Sequence, residues 1–320
     1  MFLKLCLGKQ GSDMTAEQGH RFGGAWTEIK LEAVSDYCQF FNKVLVGQPS
    51  PDRQFERWYF DAFAGSGTRR VEREIGGLLE GRPTEIEIED MAGSVLKALN
   101  VIPPFHKLAF IEGHHGRFRS LEKIKATHPE RGIICYRGDA NQKLLEIFSS
   151  PPWSQQHKGQ GSCRGLCFLD PYGMNVEWAT LKLLAQTQAV DVWYLFPLEA
   201  VSRQLAGTLD RVDKNKQRRL DEIFGAPTWR DDIYKVEPKF DLFCGNTTTA
   251  TRQFDRSQVE RYAQNRLNSI FRYVSDPLPL IHDSGRQLFS LFCLSNSASS
   301  AAIGLIRKGV AWVLKKNGSR

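Results

Sequence analysis

The stretch YFDAFAGSGTRR, Tyr59 to Arg70, decides how the rest of this 320-residue chain is read. Trp58, Tyr59 and Phe60 suit a buried strand. That run closes on an acid, Asp61, and passes through Phe63 into Ala64, Gly65, Ser66 and Gly67, which leave little side chain to obstruct a small molecule approaching the backbone. Gly65 and Gly67 permit both a tight turn and a close contact. The pattern is that of a strand that stops at a ligand.

Three later stretches repeat it. LAFIE, Leu108 to Glu112, is an apolar strand closed by a carboxylate. An acid at the end of the second strand of a doubly wound sheet is where a nucleoside ribose is held, because a carboxylate accepts two hydroxyl protons at once. GIICYRGDA, Gly132 to Ala140, gives a third strand with Asp139 just beyond it, an acceptor suited to the exocyclic amine of an adenine. GLCFLDPYG, Gly165 to Gly173, gives a fourth, ending in Asp170, Pro171 and Tyr172. A planar amino group on a ring is a poor nucleophile because its lone pair is delocalised. If Asp170 and the Pro171 carbonyl each accept one N–H, the nitrogen is positioned and freed to become tetrahedral, while Tyr172 stacks on the ring.

The remaining elements supply the scaffold. Trp26 to Val46 reads as a helix with Trp26, Ile29, Ala33, Tyr37, Phe40, Phe41 and Val44 on one stripe. Arg69 to Asp90 is a polar insertion with a short alternation at Glu85 to Glu89 that suits a small hairpin. This insertion is expected to separate the glycine loop from the apolar segment Ala92 to Leu99. Val190 to Pro197, VDVWYLFP, suits a central parallel strand. Val259 to Tyr273 reads as a helix, Arg286 to Leu294 as a strand and Ser297 to Val313 as a final helix, while Trp229 to Phe254 carries no clear pattern.

Composition sets the outer bounds. A chain that is 41% hydrophobic and 25% charged is an ordinary globular one. Its net charge of +7 suits a polyanion partner. Arg211 to Arg219, RVDKNKQRR, places five basic residues and one acid together, and Arg211, Lys214, Lys216, Arg218 and Arg219 are candidate phosphate contacts; a solvated helix face explains the run equally well. Seven cysteines, an odd number scattered along the chain, argue for reduced thiols in a cytoplasmic protein. The Cys163 and Cys167 pair lacks a second pair, so no metal site is expected. MFLKLCLGKQ is too short for a signal peptide, and no run is long enough to span a membrane.

Asp61, Phe63, Gly65 and Gly67, followed in chain order by Asp170, Pro171 and Tyr172, resemble the class I S-adenosylmethionine-dependent methyltransferases, within them those that methylate amino groups. The chain has one proline before the tyrosine, and Gly173 after it, where those enzymes usually have two prolines. A closer resemblance, over most of residues 24 to 314, is to the three-Cys-motif partner (TcmP) family, through WTEIKL (Trp26 to Leu31), YFDAFAGSG, AGSVLKAL (Ala92 to Leu99), FIEG (Phe110 to Gly113), RGDAN (Arg137 to Asn141), FLDPYG and FPLEA (Phe196 to Ala200). The family's name refers to three cysteines in a neighbouring protein, which makes such a protein an expected partner.

The resemblance implies an α/β, Rossmann-like class I methyltransferase fold: a mostly parallel sheet of about seven strands, helices on both faces and a late antiparallel strand. Residues 1 to 54 are expected to form an N-terminal extension and helix packed on the core. Residues 55 to 320 form the methyltransferase-like domain, with insertions at about 69 to 90 and 200 to 255. S-adenosyl-L-methionine is the implied cofactor. The loop from Asp61 through Phe63, Ala64, Gly65, Ser66 and Gly67 would hold its methionine part, Glu112 its ribose and Asp139 its adenine, with the acceptor at Asp170 to Gly173. The expected function is N-methylation, foremost of a nucleic-acid base, DNA or RNA. Two rivals remain: a non-catalytic partner protein on the same fold, and a nicotinamide-dependent oxidoreductase, in which Asp170-Pro171-Tyr172 has no task and Phe63 fits the dinucleotide fingerprint poorly.

Overall fold

The computed structural model describes residues 25–50, 53–77, 82–155, 162–241 and 245–318; the N-terminal stretch with Cys6, and Cys244, lie outside them. In chain order the elements are α1 (Ala25–Leu45), β1 (Pro49–Ser50), β2 (Arg53–Gln54), β3 (Glu56–Asp61), β4 (Thr68–Gly77), β5 (Arg82–Ala92), α2 (Ser94–Leu99), β6 (Lys107–Glu112), α3 (His115–Thr127), β7 (Ile133–Arg137) and α4 (Ala140–Phe148). They continue with β8 (Cys163–Leu169), α5 (Trp178–Thr187), β9 (Val190–Phe196), α6 (Leu198–Gln204), α7 (Lys214–Phe224), α8 (Trp229–Ile233), β10 (Tyr234–Asp241), β11 (Gly245–Arg252), α9 (Arg256–Asn268), β12 (Tyr273–Val274), β13 (Leu278–Ile281), β14 (Gln287–Ser295) and α10 (Ser300–Asn317).

The main sheet runs β12-β14-β9-β8-β3-β6-β7, with β13 also paired to β14. β7, β6, β3, β8 and β9 are mutually parallel, and β14 runs antiparallel to β9. This is an α/β, Rossmann-like arrangement, a mostly parallel seven-strand sheet with its late strands paired antiparallel. Every residue of β9 is buried, as a central parallel strand with both faces covered requires. One apolar core lies on the face covered by α1, α2, α3 and α10, built on Tyr59, Phe110, Phe168 and Trp193. The other lies beneath α4 to α9, built on Phe60, Cys167, Tyr194 and Phe292. From β3 the chain passes outward to β6 and β7, then returns to the other side of β3 as β8 and β9. The order therefore reverses between β3 and β8, and a crevice opens at the carboxyl ends of strands at such a point.

α1 is tied into the sheet by buried polar contacts. The Tyr37 hydroxyl donates to Asp191 Oδ2 on β9 at 2.9 Å. The residue before Tyr37, Asp36, accepts from Lys316 Nζ at 2.8 Å and Asn317 Nδ2 at 3.1 Å, both on α10. Residues 229–254, without pattern in sequence, contain α8 and the β10–β11 hairpin, a two-stranded sheet outside the main one. The alternation at Glu85 to Glu89 belongs to a longer hairpin than the sequence suggested, β4 with β5, paired from Thr68 opposite Ala92 to Gly77 opposite Arg82.

Asp191 is fully buried, and desolvation raises its carboxyl to about 6, with Ser295 and Tyr37 opposing the rise. Its ionised form is supported by Ser295, by the Tyr37 hydroxyl and by the charge of Arg164. Tyr37→Phe is expected to cost about 1.5–3 kcal/mol of stability at pH 8, the range for a hydrogen bond to a charged group. The loss should shrink at pH 5, where the carboxyl is largely protonated; urea unfolding at the two pH values measures both.

Candidate active site

The tips of β3, β6 and β8 carry the carboxylates that the sequence pattern pointed to. Asp61, the last residue of β3, is fully buried. Its Oδ1 accepts the Phe63 N–H at 3.2 Å, closing the turn into the glycine loop. Its Oδ2 is buried with no hydrogen-bond partner among the described residues, although the Ser94 hydroxyl lies near enough to favour the charged form. Burial dominates, and with the negative field of Asp170 it raises the Asp61 carboxyl to about 7 against the pull of Ser94, the Phe63 N–H and Lys30. A buried acceptor in this state suits a cationic or hydrogen-donating ligand group.

The loop that follows is threaded between two neighbouring strands: Ala62 N–H donates to Phe168 O, and Ala64 N–H to Ile111 O, both at 3.1 Å. Gly65 and Gly67 have φ of +63° and +85°. At Gly67 the positive φ is what favours glycine, since a Cβ there would meet the movable tip of the Ile124 side chain. Ser66 Oγ donates to Thr68 O. The inserted hairpin does not separate this loop from the helix. Because Thr68 pairs with Ala92 and Gly93 N–H donates to Gly67 O at 3.1 Å, the chain leaves and returns at one point and α2 starts beside the glycine turn.

Glu112, at the end of β6, is 4% exposed. Its Oε1 accepts the His114 N–H at 2.6 Å and the Arg117 guanidinium at 3.0 Å. That guanidinium also lies over the Tyr172 ring, 5.4 Å from its centroid. Asp139 is exposed and caps α4, accepting the Gln142 N–H at 3.1 Å. Its other carboxylate oxygen remains available to a ligand. The next residues extend the same logic: Asn141 donates to Asn175 O and accepts from the Glu177 N–H and the Thr180 hydroxyl, pinning the segment after Asp170 to α4.

Asp170 follows β8, the strand beside β3. Its Oδ2 accepts from Lys30 Nζ at 2.6 Å, and the Lys30 side chain, on α1, is only 6% exposed. Oδ1 faces no partner among the described residues. Pro171 is buried, Tyr172 is 43% exposed, and Gly173 turns the chain at a φ of +65°. Lys30 and Arg117 were missed in the sequence reading, although Lys30 stands within the quoted WTEIKL. Nothing local marks either one, since each matters through a partner distant in the chain.

The basic run does not join this group. Arg211 ends a short 3-10 turn, and Lys214, Lys216, Arg218 and Arg219 lie on α7, which packs against α5 and α6. Two of its charges are met locally, Lys216 by Asp213 at 3.1 Å and Arg218 by Glu222 at 2.5 Å. Among the described residues no group of three His, Cys, Asp or Glu is placed to hold a metal, and no helix is long and apolar enough to cross a membrane.

Asp61 makes stability depend on pH with a definite sign. Its folded value of about 7 lies above the ordinary 3.8, so between these values the folded chain holds a proton the unfolded chain has lost. Stability therefore falls as pH rises through that window. Asp61→Asn should flatten the fall and leave the variant more stable than the native chain at pH 8. Thermal unfolding from pH 4 to 8 measures this, and equal slopes in the two proteins would contradict the assignment.

No family model matches the chain, and no curated protein matches it. Among solved structures it is similar to protein LPL1258 of Legionella pneumophila (11% identity, 91% of this chain and 94% of that one, TM-score 0.46). It is also similar to the putative methyltransferase yhhF of Escherichia coli (14%, 68% and 85%, 0.28) and to M. jannaschii TYW2, solved in complex with AdoMet (10%, 72% and 78%, 0.27). At these values the likenesses carry no weight of their own. The fold assignment stands on the strand order and the parallel register.

Proposed function

We propose that the protein is an S-adenosyl-L-methionine-dependent N-methyltransferase whose acceptor is an amino nitrogen on a nucleic-acid base. One observation carries the reading: the glycine turn after Asp61, Glu112 and the Asp170-Pro171-Tyr172 segment all stand at the carboxyl ends of the neighbouring parallel strands β3, β6 and β8, beside the point where the strand order reverses. The motif set shared with the three-Cys-motif partner family supports it further and makes a protein with a three-cysteine motif a candidate partner.

The residues fit the cofactor. Asp61 offers a buried acceptor oxygen without a partner among the described residues, beside a turn whose positive φ angles favour glycine. Asp61, Phe63, Ala64, Gly65, Ser66 and Gly67 would hold the methionine part, Glu112 the ribose and Asp139 the adenine. When bound, the cofactor supplies a methyl group on a sulfonium leaving group. The protein's task is then alignment. Lys30 fixes one oxygen of Asp170 and leaves the other for an acceptor N–H, the Pro171 carbonyl takes the second N–H, and the exposed Tyr172 ring offers a stacking face.

A second reading, a binding platform without turnover, draws on Arg117. It already engages Glu112 and covers the Tyr172 ring, so both groups have partners within the chain.

Calorimetric titration separates the readings. The native chain should bind S-adenosylmethionine and not NAD, and Glu112→Ala should lose binding at least about tenfold, as expected when a pair of charge-assisted hydrogen bonds is removed. Asp170→Ala should retain cofactor binding and lose methyl transfer to nucleic acid. Absence of binding to either cofactor would favour the platform, and full transfer by Asp170→Ala would remove Asp170 from the chemistry.

A further inference from the structure

Beyond the tip of β9 the chain enters α6 at Leu198, and the acid of its first turn, Glu199, is only 13% exposed. Three arginines from three elements converge on that carboxylate. Arg256, the first residue of α9, reaches it at 2.5 Å; Arg286, just before β14, at 3.3 Å; Arg203, one turn along α6, at 3.9 Å. Arg203 and Arg286 are 71% and 59% exposed. Each approaches Glu199 through Nε, and their Nη groups have no partner among the described residues.

The other acids nearby are committed elsewhere. Glu260 accepts from Gln287 Nε2 at 2.8 Å and from the Ser290 hydroxyl. Asp255 caps its own helix through the Gln258 N–H and the Ser257 hydroxyl. Asp283, in the turn before Arg286, makes no ion pair with these arginines among the described residues. Three guanidinium groups thus surround one recessed carboxylate as ion pairs; Arg256 is also held through Nη1 on Gln287 O at 2.7 Å, while Arg203 and Arg286 keep their outward Nη donors. A guanidinium fork with free Nη groups matches a phosphate oxygen pair.

The position is as informative as the chemistry. β14 runs antiparallel to β9 with Ser290 opposite Phe196, so Arg286 and Glu199 both lie past the carboxyl end of β9. Asp170 lies past the carboxyl end of β8, the adjacent strand. In the sheet order β14-β9-β8, Arg286 leads into the strand two places from β8 and Glu199 follows the strand beside it, so the cluster and Asp170 share one edge of the sheet.

We infer that Arg203, Arg256 and Arg286, held over Glu199, form the surface that takes the phosphodiester backbone of the acceptor strand. The inference deepens the proposed function and rests on it for the identity of the acceptor. It also moves the phosphate contacts away from α7, whose charges are partly met within its own helix.

Fluorescence anisotropy with labelled single-stranded RNA and DNA of about 20 nucleotides, between about 50 and 200 mM salt, tests it. The double variant Arg203→Ala/Arg286→Ala changes two exposed side chains and should fold. It is expected to bind about tenfold more weakly and to reduce the salt slope by about 1.4, or ~0.7 per lost contact on a single strand. Arg218→Ala/Arg219→Ala on α7 should shift affinity by less than about threefold. If the native chain binds neither oligonucleotide, or if the first variant matches it in affinity and slope, the inference falls. Calorimetry with S-adenosylmethionine on the same samples keeps the two readings apart. A lost salt slope without cofactor binding leaves the phosphate surface standing and removes the methyltransferase, whereas cofactor binding with an unchanged slope does the reverse.

Discussion

Burial of the central strands on both faces is the constraint from which the site follows. β8 and β9 lie between two apolar cores, so a polar side chain placed within them meets no water. Charged groups are affordable only at the strand ends, where loops and helix starts bring hydrogen-bond donors. Asp61, Glu112 and Asp170 all stand at carboxyl ends, and because the chain order reverses between β3 and β8, two of them flank the same crevice. Asp191 shows the alternative: near the start of β9, its charged form is supported by donors from other elements, Ser295 on β14 and Tyr37 on α1.

Both of those carboxylates receive a donor from α1. Lys30 and Tyr37 are seven residues apart, two helical turns, and so share a stripe. One reaches Asp170 and the other Asp191, 140 and 154 residues further along the chain. The helix that covers the core therefore also sets the orientation of the carboxylate at the end of β8. Loosening α1 from the sheet would alter that carboxylate and the packing together.

Much of this was legible in the sequence because strands buried on both faces are written as continuous apolar runs, and their ends are marked by an acid or a glycine. The runs at Tyr59, Leu108, Gly165 and Val190 announce themselves in this way. The β10–β11 hairpin did not, since TTTATR and KVEPKFD form a two-stranded sheet outside the main one and carry no continuous apolar run. The inserted β4–β5 hairpin was recognisable as an interruption. Its return to Gly67 was not, because that contact depends on the register from Thr68 to Ala92 rather than on any local signal. Lys30, Arg117 and the arginines over Glu199 were silent for the same reason: a lone basic residue has a meaning only once its carboxylate is found.

The order of charge along the carboxyl edge gives the arrangement a direction. From β6 through β3 to β8 the tips carry Glu112, Asp61 and Asp170, three acids answered by two cations, Arg117 and Lys30. Past β9 the sign reverses, and one acid is answered by three arginines. A ligand with a positive centre is favoured over the first stretch and a polyanion over the second, and the field that attracts one repels the other. Lys30 stands at the junction. It joins α1 to the end of β8, the last acid before the sign of the edge changes.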